Sequence, residues 1–326
     1  KKWSKALAVY KQPDNKRAIM ELTLTASLFA LAWLGTWITM QFNIWLGLAS
    51  TIIPAVLLVR IFAIQHDCGH YSLFSSRAAN DWIGRVLGVF TFTPYDYWKH
   101  SHAIHHASSG NLDNRSFGEI STLTVEEYAQ RGWWGKTLYW LYRNPVTLFI
   151  IGPAYMFILQ HRLPIGFMKK GKTPWLSTQL TNLGIAVLTI GLIYFVGWAD
   201  FLLIQLPIVA IGASIGVWLF YVQHQFEETS WEQDREWTVQ DAAFHGSSYY
   251  VLPPVLTWIT ANIGAHHIHH LASRIPFYRL PEVLRDHGEF REVGRITIRE
   301  SLGCARLALW DETGRRLVSF REARKL

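Results

Sequence analysis

Residues 45–70 read WLGLASTIIPAVLLVRIFAIQHDCGH, an apolar run that ends on two histidines four residues apart. About 20 residues rising 1.5 Å each cross the hydrocarbon of a bilayer, and Trp45–Ile64 supplies them. Three further stretches qualify: Met20–Met40, Thr178–Val196 and Phe201–Val222. They pair off as two hairpins, joined around Gln41–Ile44 and Gly197–Asp200, and neither connection holds a Lys or Arg. Nearly all the basic residues lie in Lys1–Arg17, in the middle segment Gln65–Pro174 and after Gln223. Cytoplasmic flanks carry the Lys and Arg excess, so both termini and the middle segment are expected in the cytoplasm.

Composition supports a membrane class over a soluble protein with an aromatic core. Half the residues are hydrophobic and only 17% are charged, with 16 Trp, 13 Tyr and 18 Phe among 326 residues, and amphipathic rings favour the membrane boundary. The net charge of +7 comes with no nucleic-acid motif; a face against anionic lipid accounts for it better. Cys68 and Cys304 make neither a disulfide framework nor a CxxC pair. Lys1–Arg17 lacks a signal-peptide apolar core, so the first span is expected to be retained. Val146–Leu159 is too short for a confident crossing and would put later histidines on the opposite face, so it reads as interfacial or re-entrant. The stretches Trp82–Phe92 and Trp133–Tyr142 read as membrane-surface helices or as ordinary helices outside the membrane.

The expected fold is all-α and integral to the membrane: four transmembrane helices in two hairpins, with a cytoplasmic helical cap carrying a histidine-rich di-metal site. As one unit over 1–326, the chain divides into an N-terminus (1–19), a first hairpin (20–64), a cap segment (65–177), a second hairpin (178–222) and a second cap segment with the tail (223–326).

The fourteen histidines are far from evenly spread. His66 and His70 stand in HDCGH; His102, His105 and His106 in HAIHH; His266, His269 and His270 in HHIHH. Residues three or four apart share a helical face, so each motif aims its imidazoles in one direction. Lone histidines near a membrane are ordinarily solvated or hydrogen-bonded, but eight at this spacing on one side of the bilayer point to metal. Imidazole suits Fe, Zn, Cu and Ni alike; eight or nine ligands exceed what one ion accepts and imply two. His224, just beyond the fourth span as His66 is beyond the second, is favoured as a ninth. His100, His267 and His245 lack a shared face or partner and read as ordinary histidines, His161 as interfacial, and His287 stands apart. Ligating histidines usually give their other N–H to a carboxylate or carbonyl; Asp67, Asp96, Asp113, Glu227 and Asp241 are candidates, and Asn262 faces the same way as His266. Lys99, Arg115 and Arg274 offer a cationic surface for an acidic donor or a lipid phosphate.

The three boxes, HxxxH, HxxHH and a distant HxxHH, resemble those of the membrane fatty acid desaturases. The wording around them, from Pro94 through His106 and from Asn262 through His270, is similar to the bacterial and plant acyl-lipid Δ12 (omega-6) enzymes over about residues 20–290. The resemblance implies iron ligands at His66, His70, His102, His105, His106, His266, His269 and His270, with His224 matching an additional histidine. It implies two Fe ions (with Zn a possible substitute in purified protein), O2 as co-substrate, electrons from a ferredoxin or cytochrome b5-like donor, and a fatty acyl lipid or acyl thioester substrate. A bacterial inner membrane is the expected location. A hydroxylase, ketolase or acetylenase on the same scaffold is the nearest alternative. A metal transporter is remote, because ionisable groups in the spans are limited to Glu21 and Arg60 near their ends, and a zinc hydrolase would need the HExxH glutamate that is missing.

Overall fold

A computed structural model describes residues 2–115 and 118–326. Among the described residues four helices are long and apolar enough to cross a membrane: Asn15–Phe42, Ile44–Gly69, Lys172–Val196 and Trp198–His224. Asp14 caps the first by accepting from the amides of Lys16 and Arg17. Asn43 breaks the chain in an extended conformation and caps the second through the amides of Trp45 and Leu46. Gly197, at φ 85°, makes the other tight connection, a left-handed turn that a side chain would strain. Both connections lie at one end of the bundle. There Asp200 Oδ2 accepts from Trp37 Nε1 at 3.1 Å and from Gln41 Nε2 at 2.7 Å, and deeper in Trp33 Nε1 donates to Gln205 Oε1 at 3.1 Å. Each bond satisfies a polar group that would be costly to leave unpaired in hydrocarbon.

The second span is the innermost, with 61% of its apolar window buried, and the third the outermost, with 6%. Leu180, Leu183, Val187 and Ile190 of that third span are exposed, an apolar face of the kind lipid covers. At the end opposite the turns, the second and fourth helices continue past the predicted hydrophobic limits, to Gly69 and His224. They carry His66 and His224 on regular helix.

The rest of the chain packs around that histidine end. Arg77–Phe90 and Trp133–Arg143 are helices with exposed Trp82, Trp133 and Trp134. The short apolar run forms a π-helical turn, Thr147–Ile151, followed by the α-helix Gly152–Ile158. Its Phe149 ring lies 5.0 Å from both Trp218 and Tyr221 of the fourth span, while Ile150, Ile151 and Tyr155 face outward.

Among the described residues two small sheets supplement the expected helices. Leu307–Asp311 and Arg316–Ser319 form an antiparallel hairpin that Leu123–Thr124 joins in parallel; Tyr249–Val251 pairs in parallel with Arg295–Thr297. Buried Arg143 fastens the hairpin to the fourth span. Its Nη2 donates to the Leu307 carbonyl at 2.7 Å, to Gln225 Oε1 at 3.1 Å and to the Tyr221 hydroxyl at 3.2 Å. The N-terminal arm packs Leu7 and Tyr10 against Ile268, Ile275 and Phe290, beneath the third histidine box.

Candidate metal centre

The first box closes the second span. The helix stops at Gly69, the His70 amide caps it on the His66 and Asp67 carbonyls, and Tyr71 turns away at φ 55°. A Cβ on Gly69 would sit 2.9 Å from the Trp98 ring; glycine lets that indole approach and stack on His102, with centroids 4.8 Å apart and planes 14° apart.

The second box lies on the helix Tyr95–Ser108. Lys99 reaches Asp81 at 2.6 Å, Arg85 Nε donates to Asp96 Oδ2 at 2.9 Å, and Ser177 of the third span accepts from the Asp96 amide at 3.1 Å. The third box occupies the six-residue helix His266–Leu271, too short to be stable alone. Asp67 Oδ2 accepts the Phe277 amide at 2.7 Å just after it. Before it, Gly264 passes so close to the Tyr250 carbonyl that a Cβ would lie 2.4 Å from the oxygen.

These elements bring nine imidazoles into two groups: His66, His70, His102, His106 and His269, and His105, His224, His266 and His270. Within each group the candidate ligand nitrogens all lie within 4.8 Å of one another. In the first, His106 Nε2 is 3.1 Å from the Nε2 atoms of both His102 and His269. In the second, the Nε2 atoms are 3.2 Å apart between His105 and His224, 3.0 Å between His224 and His266, and 3.1 Å between His266 and His270. Two nitrogens bound to one ion at about 2.0–2.1 Å, at angles near 90–110°, would be roughly 2.8–3.4 Å apart.

His224 Nδ1 lies 3.1 Å from the Gly246 carbonyl, which only accepts, so that nitrogen carries the proton. His105 Nδ1 lies 3.1 Å from Glu119 Oε1 and donates likewise. The two Nε2 atoms then confront each other at 3.2 Å with lone pairs alone. Burial pushes the His105 imidazole down to about 3, with the His66 charge adding to it, so a proton is not at hand to bridge them near neutrality. Burial and neighbouring imidazoles also lower His70, His102, His106, His266, His269 and His270. Neutral rings with facing lone pairs are the form that binds metal. His70 Nε2, buried and without a hydrogen-bond partner, fits the same account.

A family model described as "Fatty acid desaturase" matches residues 43–301. A fatty acid desaturase of Bacillus subtilis (strain 168) is 43% identical over 98% of this chain and 91% of that protein. This chain belongs to the fatty acid desaturase family. It is accordingly a membrane oxidoreductase that desaturates acyl chains. More distant relatives include a Synechocystis protein named sn-1 acyl-lipid omega-3 desaturase (ferredoxin), 28% identical over 80% of this chain and 71% of its own length. An Arthrospira platensis protein named sn-1 oleoyl-lipid 12-desaturase is 23% identical over 82% of this chain and 74% of its own length.

The desaturase brings all nine histidines singled out from sequence into the two groups, and the candidate supporting residues have the following partners. Asp96 is engaged by Arg85 and Lys99. Asp113 Oδ2 accepts the Asp234 amide. Asn262, at φ 57°, donates to the Phe277 carbonyl. Asp67 comes within 3.5 Å of His66 Nδ1, but that nitrogen has no aligned hydrogen-bond partner, and the other carboxylate oxygen serves Phe277. Asp241 pairs with the Thr238 hydroxyl, and Glu227 is exposed. Nearness in sequence suggested these residues; Asp67, Asp96, Asp113 and Asn262 serve as ties between segments.

Sequence reasoning missed Glu119, which sits in a loop fourteen residues after His105 with no helical spacing to betray it. His100 and His245 are exposed and outside both groups, and His267 donates Nε2–H to the Phe290 carbonyl at 2.8 Å. Of the cations suggested as a docking surface, Lys99 is paired with Asp81 and Arg115 with Glu127 at 2.5 Å; Arg274 is exposed.

Proposed function

We propose that the enzyme holds two irons, one by His66, His70, His102, His106 and His269 and the other by His105, His224, His266 and His270, and uses O2 to place a cis double bond at Δ12 of a monounsaturated acyl lipid. The pair of facing lone pairs on His105 and His224 carries the metal assignment. An unactivated C–H bond yields to no acid, base or nucleophile of a protein, so the hydrogen-abstracting power is that of the bound irons and O2, with two electrons from a donor.

The chain's own residues contribute position, neutrality and dryness. Burial disfavours the protonated form of His70, His102, His105, His106, His266, His269 and His270, Gly246 and Glu119 fix two tautomers, and the buried setting of the rings keeps bulk water from the metal site. The ferredoxin in the name of the Synechocystis relative supports such a donor, with a cytochrome b5-like protein the other candidate. The Arthrospira relative's name and the wording around the boxes support Δ12 and a lipid substrate. Lys-poor and Arg-poor turns at the far end support a cytoplasmic histidine end and, in a bacterium, the inner membrane.

Expression in a host that makes only monounsaturated lipids tests the reading. A diene with its new bond at Δ12 is expected, and its loss in His102→Ala, His105→Ala and His269→Ala, with the exposed His245→Ala active. A hydroxylated or ketonic product, or near-wild-type desaturation in those three variants, would overturn it.

A further inference from the structure

We propose that Glu119 is a positioning residue that holds His105 in its metal-binding tautomer and thereby controls retention of the ion in the four-histidine group. The inference rests on the two-metal reading above. Glu119 Oε1 is 3.1 Å from His105 Nδ1. Among the described residues it is the carboxylate aligned with a ring nitrogen of either group, since Asp67 leaves His66 Nδ1 without an aligned partner.

The second group contains an alternative that needs no metal. If His105 moved its proton to Nε2, it would donate to His224 Nε2 across the existing 3.2 Å gap. His224 has no such freedom, because the Gly246 carbonyl already claims its Nδ1–H. The two histidines would then satisfy each other and lose a ligand. A carboxylate at His105 Nδ1 makes this exchange unfavourable: a charge-assisted bond is stronger than a neutral one, and deprotonating Nδ1 would set a lone pair against the anion. His105 is 2% exposed, so bulk water does not compete for its Nδ1 while Glu119 is in place. Removing the partner of a ligating histidine commonly costs about 10–100-fold in metal affinity. Here that loss falls on one group, because Glu119 bonds to His105 and its charge acts on His224, a ligand of the same group.

The test is chelator competition on the purified, iron-loaded full chain, with metal per chain measured over time and desaturation measured separately. In Glu119→Ala one of the two irons is expected to leave about 10–100-fold more readily, while the other keeps its wild-type resistance. Glu119→Gln, whose amide oxygen still accepts from Nδ1–H, is expected to recover part of the difference; it also carries the test if the alanine variant does not fold. Glu126→Gln, at an exposed carboxylate, is the control and should match wild type. Wild-type retention of both irons in Glu119→Ala overturns the inference and leaves the two-metal reading intact, as does equal loss of both irons from a folded variant. A wild-type chain that holds fewer than two ions refutes the two-metal reading itself.

Discussion

Glu21→Leu should destabilise this protein more than the same substitution made together with Arg60→Met. Arg60 is 1% exposed and Glu21 4%; Arg60 Nη2 lies 2.5 Å from Glu21 Oε2, and Arg60 Nε donates to Thr25 Oγ1 at 3.0 Å. The guanidinium also donates to the Trp258 carbonyl and lies 4.0 Å from that ring's centroid. With Glu21 gone, a buried cation is left with a hydroxyl, a carbonyl and a π face, and breaking such a pair on one side costs about 3–5 kcal/mol. At roughly 2 °C per kcal/mol for a chain of this size, the apparent melting point in detergent should fall by about 6–10 °C. Arg60→Met alone should cost less, because Glu21 keeps Arg17, whose Nε donates to it at 2.8 Å. In the double variant both charges are gone and most of the loss should be regained. Trp258 lies on the short helix Pro254–Ile259 that leads to the third histidine box, so Glu21→Leu should also release metal at a lower temperature. A loss below about 1 kcal/mol, or a double variant worse than Glu21→Leu, would refute the reasoning.

Other outcomes follow from the same structure. Arg143→Met removes the ties to Leu307, Gln225 and Tyr221 and should cost about 2–3 kcal/mol, with faster proteolysis after residue 300 than in wild type. Burial, reinforced by the nearby Arg162, holds His161 down to about 4, against an unfolded value near 6.5. The unfolded chain therefore binds more protons between those values, and the stability His161 contributes is present above pH 6.5 and lost as pH falls toward 4. His161→Gln should flatten that limb of the stability curve; an unchanged slope would contradict the assignment. Cys68 and Cys304 are both buried, so neither should react with maleimide in the native protein, while both should after denaturation in SDS.

The spans and boxes were legible because both have strong periodic signals: long apolar runs, and imidazoles three and four residues apart. What the sequence hid was the meeting of distant loops. Glu119 reaches His105 from an irregular segment, and Gly246 supports His224 with a backbone atom that residue type does not advertise. Arg143, just past the aromatic stretch Trp133–Tyr142, is buried as a tie to segments that its sequence neighbours do not reveal. The hairpin at 307–319 did leave a trace, since Leu307, Leu309, Leu317 and Val318 flank an Asp311–Gly314 turn, a signal with no helical period. Asp96 and Asp113 show the converse, carboxylates beside a histidine box in sequence whose bonds go elsewhere.

Metal content of chain purified from iron-replete cells tests the central claim most directly. Two bound ions per chain are expected, iron or partly zinc, falling to about one in both His269→Ala and His224→Ala, which belong to different groups. Fewer than two ions in the wild type, or a count that neither substitution lowers, would contradict the account.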